Sequence, residues 1–518
     1  MLRPRFLEHS LRTRLLAALM LVVGAGAAWI GWRRFRAEGA SFDSGAVQEF
    51  LETRFATLSG GVYHVKLGHI HFDIAGSGAR IDSVVITTDT LRNQALAHPL
   101  PRLFVVLREA EVRGVVRTAD GDRIAIDEIR FGGVDALLTF ARADTARPVI
   151  DTTVHDLVSW TLQLPAGAPQ VVIGRLLLQG MTVEVRPAPG TGGRPQRIEH
   201  LSLVLDSVRL DRRAEGLDVP VVVRDIRVRA TAFEGGWDSA STVSIGAMEG
   251  SFRDSTLRLT ALGLAPRRSL RSALRRGGAQ RERYTVTIDS IGAEGVDWGA
   301  ALRVGAVPAR SVVLDGVDLQ ILTDKRIPGR PTPRPRQPIL QETLVRFGRP
   351  VAIDSLRLRG GRVRYQVRPE SGDGIGLVDF QRVEARLTGF VWSPDSMLGR
   401  RAEFAFRASL WGAAPLALTI TGPLDARAPA VDMDLFVGAM PMMTANAFAS
   451  TIGRMDIKGG TLDSVRARVH LAGDRCDGEA RPYYHDLSIR LISRGGFLSR
   501  LAGGARTVLA NSFVVRDD

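Results

Sequence analysis

From Val62 onward apolar and polar residues alternate with a period of two for most of the chain. The runs include Val65/Leu67, Ile70/Phe72, Leu201/Leu203/Leu205, Tyr284/Val286/Ile288, Phe404/Phe406, Leu416/Leu418/Ile420 and Val431/Met433/Leu435/Val437. Such a pattern predicts strands with one apolar and one polar face, on the order of twenty or more, and hence a mainly β fold. The clearest stretch is Ile353–Val367. There Leu356 and Leu358 alternate with arginines, Gly360-Gly361 interrupts, and Val363, Tyr365 and Val367 resume the alternation. This spacing predicts two short strands separated by a glycine break.

Parts of that stretch recur. The tetrad Ile353-Asp354-Ser355-Leu356 returns at Ile81–Val84, Leu205–Val208, Ile288–Ile291 and Leu462–Val465, with a looser copy at Ile126-Asp127-Glu128-Ile129. The glycine break returns near Gly180 and at Gly459-Gly460. The chain therefore reads as a degenerate repeat of one amphipathic β unit. Asp and Ser bond nearby backbone in tight turns, so the tetrads are expected at turns and strand ends, in a structural role.

Helical spacing is rare. Ser44–Leu58 places Val47, Phe50, Leu51, Phe55 and Leu58 on one face, with Ser44 as N-cap. Shorter helical patterns occupy Ile339–Phe347, Pro441–Ile452 and the C-terminal Phe497–Leu509. Ahead of them all, Leu15–Trp32 is eighteen residues without a charge, including Leu15, Leu16, Leu19, Leu21, Val22, Val23, Trp29, Ile30 and Trp32. As a helix it reaches about 27 Å, close to the thickness of a bilayer's hydrocarbon core. It is expected to be an uncleaved, single-pass anchor with the bulk of the chain exported; a cleaved signal peptide using Ala25-Gly26-Ala27 is the rival reading. Five prolines between Ile327 and Pro338 mark a linker or loop. The expected organisation is an anchor over 1–36, a β-rich region over 37–326, the proline-rich stretch 327–338, and a second β region over 339–518.

Composition changes this picture little. Of 69 basic residues only Lys66, Lys325 and Lys458 are lysine, and the arginines interleave with Asp and Glu along strand faces. A net charge of +14 therefore reads as solvated strand surface, and no aromatic stacking platform accompanies it, so no nucleic-acid partner is expected. The single Cys476 excludes an intramolecular disulfide or a cysteine-rich metal site. His69 and His71 share a face of one strand, and Asp432 and Asp434 another, but both pairs take the polar slots of an alternating run. Gly76-Ser77-Gly78 and Gly372-Asp373-Gly374 lack the following helix of a nucleotide-binding loop. No catalytic residue, metal or cofactor is expected. With few helices to cover the apolar faces, the strands fit either a sandwich or one sheet curled into a trough; an apolar trough would suit acyl chains.

The anchor, Gly60-Gly61-Val62-Tyr63-His64-Val65, the Ile353–Val367 unit and the stretch Glu403–Val515 resemble AsmA-like bacterial envelope proteins. In that last stretch the likeness rests on Met440-Pro441-Met442-Met443, Met455–Leu462 and Tyr483-Tyr484-His485-Asp486-Leu487. The resemblance implies an inner-membrane anchor, a periplasmic body built on an elongated, curled antiparallel β-sheet groove with a few short helices, and a role in lipid movement or outer-envelope integrity. It favours the trough and brings no catalytic residues. On this reading membrane lipids, phospholipid or a related amphiphile, are the expected partners. Val363, Tyr365, Val367, Phe404, Phe406, Leu416, Leu418 and Ile420 are the candidate groove lining. An assembly scaffold for outer-membrane components, with no lipid cargo, is the alternative.

Overall fold

The computed structural model describes residues 44–58, 61–73, 77–95, 102–117, 123–139, 160–163, 170–186, 195–210, 218–236, 241–266, 282–304, 308–326, 351–370, 372, 374–392, 401–424, 430–453, 455–472 and 475–491. The expected anchor (Leu15–Trp32), the proline-rich stretch, the Ile339–Phe347 helix and the C-terminal helix lie outside them. Among the described residues no helix is long and apolar enough to cross a membrane.

The described chain is mainly β, with 23 strands and few, short helices. It divides into two compact units. The first opens with helix α1 (Ser44–Leu58), followed by β1 (Tyr63–Leu67), β2 (Ile70–Asp73), β3 (Gly78–Ile81), β4 (Val84–Thr88) and α2 (Thr90–Gln94). The long strands β5 (Arg102–Arg117) and β6 (Arg123–Thr139) come next, then β7 (Trp160–Gln163), β8 (Gln170–Arg186), β9 (Gln196–Leu210) and β10 (Asp218–Gly236). Neighbours run β1–β4–β5–β6–β8–β9–β10, antiparallel except for the parallel β6–β8 pair. Most of β11 (Ser241–Ser251), the first half of β12 (Thr256–Pro266) and α3 (Trp298–Val304) also belong to this unit. In it Trp298 stacks on Phe252 with ring centres 4.7 Å apart.

Helix α1 buries Leu51 and Phe55 against the sheet, as its spacing predicts. It also serves the edge of β1: Gln48 Nε2 donates to the Leu67 carbonyl at 2.7 Å, and the Leu67 amide donates to Glu52 Oε1 at 2.8 Å. Two side chains one helical turn apart thus replace a strand partner.

The second unit contains β13 (Arg283–Glu294), β14 (Ala309–Asp315), β15 (Asp318–Asp324), β16 (Val351–Arg368), β17 (Gly376–Trp392), β18 (Arg401–Leu410), β19 (Ala414–Pro423) and β20 (Ala430–Val437). The short β21 (Met440–Pro441), a helical connection over Met442–Gly453, β22 (Met455–Ala472) and β23 (Arg475–Leu491) complete it. β14 and β15 each pair with β13 and, in parallel, with β16. These ladders place 309–324 in the same unit as the strand that follows the proline-rich stretch. From β16 the order β17–β18–β19–β20–β22–β23 is antiparallel throughout.

The glycine break does not end a strand. Residues 351–368 form one strand of 18 residues, interrupted by a register shift between Leu358 and Val363 where Gly360 takes φ +65°. The expectation of two short strands is thereby corrected, and the reason is geometric. An extra residue in a strand exchanges its faces, so Leu356 and Leu358 before it share a side with Val363 and Val367 after it. The tetrads act in the same way. Ile126 and Ile129 are three residues apart yet 2% and 0% exposed, as are Leu205 and Val208 at 4% and 0%. Between the latter, Ser207 has φ +55°. All the tetrads except Ile81–Val84 lie within strands, and the carboxylates of Asp206 and Asp463 reach neighbouring strands. Asp206 accepts from Arg175 on one side (3.3 Å) and Arg227 on the other (2.6 Å).

Along β6 the buried set switches phase twice: Ile124 and Ile126, then Ile129 and Phe131, then Val134, Ala136 and Leu138. Adjacent β8 switches in step, with Gly133 (φ +62°) opposite Gly180 (φ +63°), so Ile126 faces Ile173 and Ala136 faces Val183 at one constant offset. The result is one continuous apolar core in this unit, where Ile129, Val134, Ile173 and Val208 are fully buried.

Gly360 and Gly292 separate backbone conformation from space. A Cβ at either would meet nothing within 4 Å, but only Gly360 has a positive φ. Gly360→Ala is expected to cost about 1–2 kcal/mol in urea unfolding. Gly292→Ala should stabilise by about 0.4–1 kcal/mol. Equal effects would show that the left-handed residue is not what holds the phase.

Candidate functional site

The inner positions of the second unit form rows that can be followed strand to strand by register. One row runs Leu356–Leu387–Phe404–Ile420–Met433–Val469, across β16, β17, β18, β19, β20 and β22. The next runs Leu358–Ala385–Phe406–Leu418–Leu435–Ala467. Neither row contains a charged or hydrogen-bonding side chain. All twelve residues are only half-buried. Five steps of about 4.8 Å between strands give the strip a length of roughly 24 Å.

Buried residues border part of the strip on each side, while Ile353, Phe390, Val431 and Leu471 next to its first row and Ala408 and Val465 next to its second are half-buried as well. On one side stand Gly361, Val383 (1% exposed), Leu416 (9%) and Val437 (7%), and beyond them Ala414, Met440 and Leu462, packed with the Met442–Gly453 connection. On the other, Ala402 and Leu424 pack with Val351, Leu387 and Phe390. Phe404 and Phe406 lie with ring centres 6.3 Å apart, and Phe380 meets Phe406 edge-on at 6.2 Å.

Phe404, Phe406, Leu418 and Ile420 therefore lie on the strip itself. Leu416 is one position inside its wall. Val363 and Tyr365 are half-buried on the far side of the β16 shift, and Val367 is buried at 3%. Leu356, Leu358, Leu387, Met433, Leu435 and Val469 belong to the strip although the candidate lining omits them. Their alternation was visible, but strand order, which decides who stands beside whom, was not.

The opposite face is polar and its charges are largely matched. Asp432 accepts from Arg401 (3.2 Å) and lies 2.7 Å from His470 Nδ1, while Asp434 accepts from Arg468 (3.1 Å). The hydrogen bond to His470 holds the Asp432 carboxyl below its ordinary range, the reverse of what a general acid needs. Asp432, Asp434, Arg468 and His470, with Asp477 and Glu479, border an open cavity of about 400 Å³. His71 bonds Asp82 at 2.9 Å, which gives it a structural partner inside a tetrad. Among the described residues no group of three His, Cys, Asp or Glu side chains is placed to hold a metal ion.

Beside the strip's wall, Arg362 donates two bonds to Asp379 (3.0 and 2.7 Å) and Gln381 a third (2.7 Å). The bonds from Arg362, chiefly, hold the Asp379 carboxyl below its usual value against the opposing effect of burial. A lowered folded-state pKa means stability present above the unfolded value and lost as pH falls through the folded one. Asp379→Asn is expected to lower stability by about 1–3 kcal/mol at pH 7, the lower part being favoured because half of Arg362 is in water. Thermal unfolding near pH 7 and pH 3 checks this; the gap between variant and parent should shrink in acid. A gap independent of pH would refute the assignment.

The chain matches no family model and no curated protein.

Proposed function

We propose that this chain is a non-catalytic carrier of acyl-chain amphiphiles, tethered to the bacterial inner membrane by Leu15–Trp32 with its β body in the periplasm, and that it serves phospholipid transport and envelope integrity in the manner of AsmA-like proteins. The observation that carries this reading is the two-row strip: twelve uncharged residues, half-buried, in a band of roughly 24 Å bordered in part by buried residues. On this view the strip is the floor of the groove. Hydrocarbon laid on it leaves water at about 0.8 kcal/mol per buried CH₂, while a headgroup remains solvated. A leaflet's hydrocarbon is about 15 Å thick, half of the 30 Å core, so an acyl chain fits the strip's length. On this reading the apolar run at 15–32 is the tether that keeps the body beside a source of such chains.

The assembly-scaffold reading keeps one observation of its own. The first unit's apolar face is closed by its own side chains, with Ile129, Val134, Ile173 and Val208 at 0% exposure. That unit offers structure, not capacity.

The test is photo-crosslinking of the full-length membrane protein in cells, with a benzophenone amino acid replacing Phe404, Ile420, Val134 or Arg386. Lipid adducts are expected from the first two positions only. In parallel, Phe404→Asp should reduce co-purifying phospholipid, measured by mass spectrometry, about tenfold, and Arg386→Asp should leave it unchanged. Adducts absent from Phe404 and Ile420 in a folded protein would sink the carrier reading and leave the scaffold.

A further inference from the structure

The last strand of the second unit, β23, pairs with β22, and among the described residues no other strand is paired with it. Every residue of Arg475–Tyr483 is exposed, whereas half-buried positions return from Tyr484 on. The exposed run includes Gly478, Ala480 and Pro482, which stand beside Val469, Ala467 and Val465 and so extend the apolar side of the sheet. Pro482 has no N–H, and a proline keeps its place in a ladder by turning its nitrogen away from the partner strand. By alternation, the backbone groups on the free side are those of Cys476, Gly478 and Ala480, with the Pro482 carbonyl.

On the polar side the charges of this strand are left over. Glu479 and Asp477 stand opposite Arg468 and His470 of β22, yet Arg468 bonds Asp434 and His470 bonds Asp432, both on β20. Arg481 faces a like charge, Arg466, and bonds Glu479 of its own strand at 2.8 Å. Glu479 and Arg481 therefore form a self-complementary pair on an open edge. A second copy of the strand, antiparallel about a two-fold axis at Ala480, sets each of them against its opposite on the partner. Neighbouring registers fail. An axis at Glu479 or Arg481 puts that residue against itself, and one at Gly478 opposes Asp477 to Glu479. An axis at Pro482 opposes two residues without an N–H. The Ala480 register overlaps residues 476–484, nearly the whole exposed run, and opposes no like charges. It forgoes one ladder bond at each Gly478–Pro482 position.

We infer that β23 is a dimer edge, at which two copies of this chain join antiparallel through residues 476–484 about Ala480. The axis stands perpendicular to the sheet, so the two apolar sides remain on one side. The row through Ala467 and Ala480 then continues into the partner's Ala480 and Ala467, and Gly478 meets the partner's Pro482. The inference goes beyond the carrier reading and does not rest on it.

The test uses the full-length protein carrying Cys476→Ser. At the axis Ala480 meets itself with Cα atoms about 5.5 Å apart, within the range of a disulfide. Oxidation of isolated membranes should give at least about tenfold more dimer from Ala480→Cys than from Asp477→Cys, which would face the partner's Tyr483. In detergent, Glu479→Arg and Arg481→Glu should each weaken the dimer about tenfold by sedimentation, and the two together should restore it to within about threefold of the parent. No excess dimer from Ala480→Cys, in protein whose circular dichroism matches the parent, overturns the inference. So does a double variant that dimerises no more tightly than the single ones. A monomer whose amides at 476–480 exchange slowly also overturns it, and points to residues 492–518 as the cover of this edge.

Discussion

A strand turns alternate residues to opposite faces, so each inserted residue would exchange core for solvent along everything that follows. Strands of 16 to 19 residues, as in β5, β6, β8 and β10, can stay straight in register only if such insertions are absent or paired. This fold pairs them. Gly133 stands beside Gly180, and Ser207 beside Gly174, so neighbouring strands change phase together and the apolar side remains one side. The left-handed residues carry the conformational cost, and at Leu205–Val208 the tetrad's Asp206 then binds arginines on both flanking strands.

The mainly β class, the rarity of helices and the apolar positions of nearly every strand were legible in the sequence, because a period of two is a local signal. The tetrads were equally visible and were misjudged. Apolar-Asp-Ser-apolar is the same string whether the chain turns back or only adds a residue. What distinguishes the two is a partner on both sides, such as β8 and β10 for Leu205–Val208, and that partner is supplied by distant sequence. The strip was half legible for the same cause. Phe404, Phe406, Leu418 and Ile420 lie on two adjacent, consecutive strands, whereas Leu356 and Val469 join them only through a ladder order that spans more than a hundred residues.

The two units use one sequence pattern toward different ends. In the first, aliphatic side chains from β5, β6, β8 and β9 bury one another completely around Ile129 and Val208. In the second, equivalent rows between β16 and β22 stop half-buried, and buried residues gather in two clusters beside them. Alternation therefore specifies an apolar face without specifying whether protein fills the space above it.

The Gln48 and Glu52 bonds to Leu67 have a bearing on self-association. Exposed strand margins recruit stray extended chains because their amides and carbonyls await ladder partners. At Leu67 both groups are already engaged by α1, so an incoming chain must first displace a helix that has Leu51 and Phe55 sunk in the core. Protection against amyloid-like templating at that margin is thus coupled to folding of the very segment that follows the apolar run, and damage to α1 would uncover a nucleation point along with losing packing.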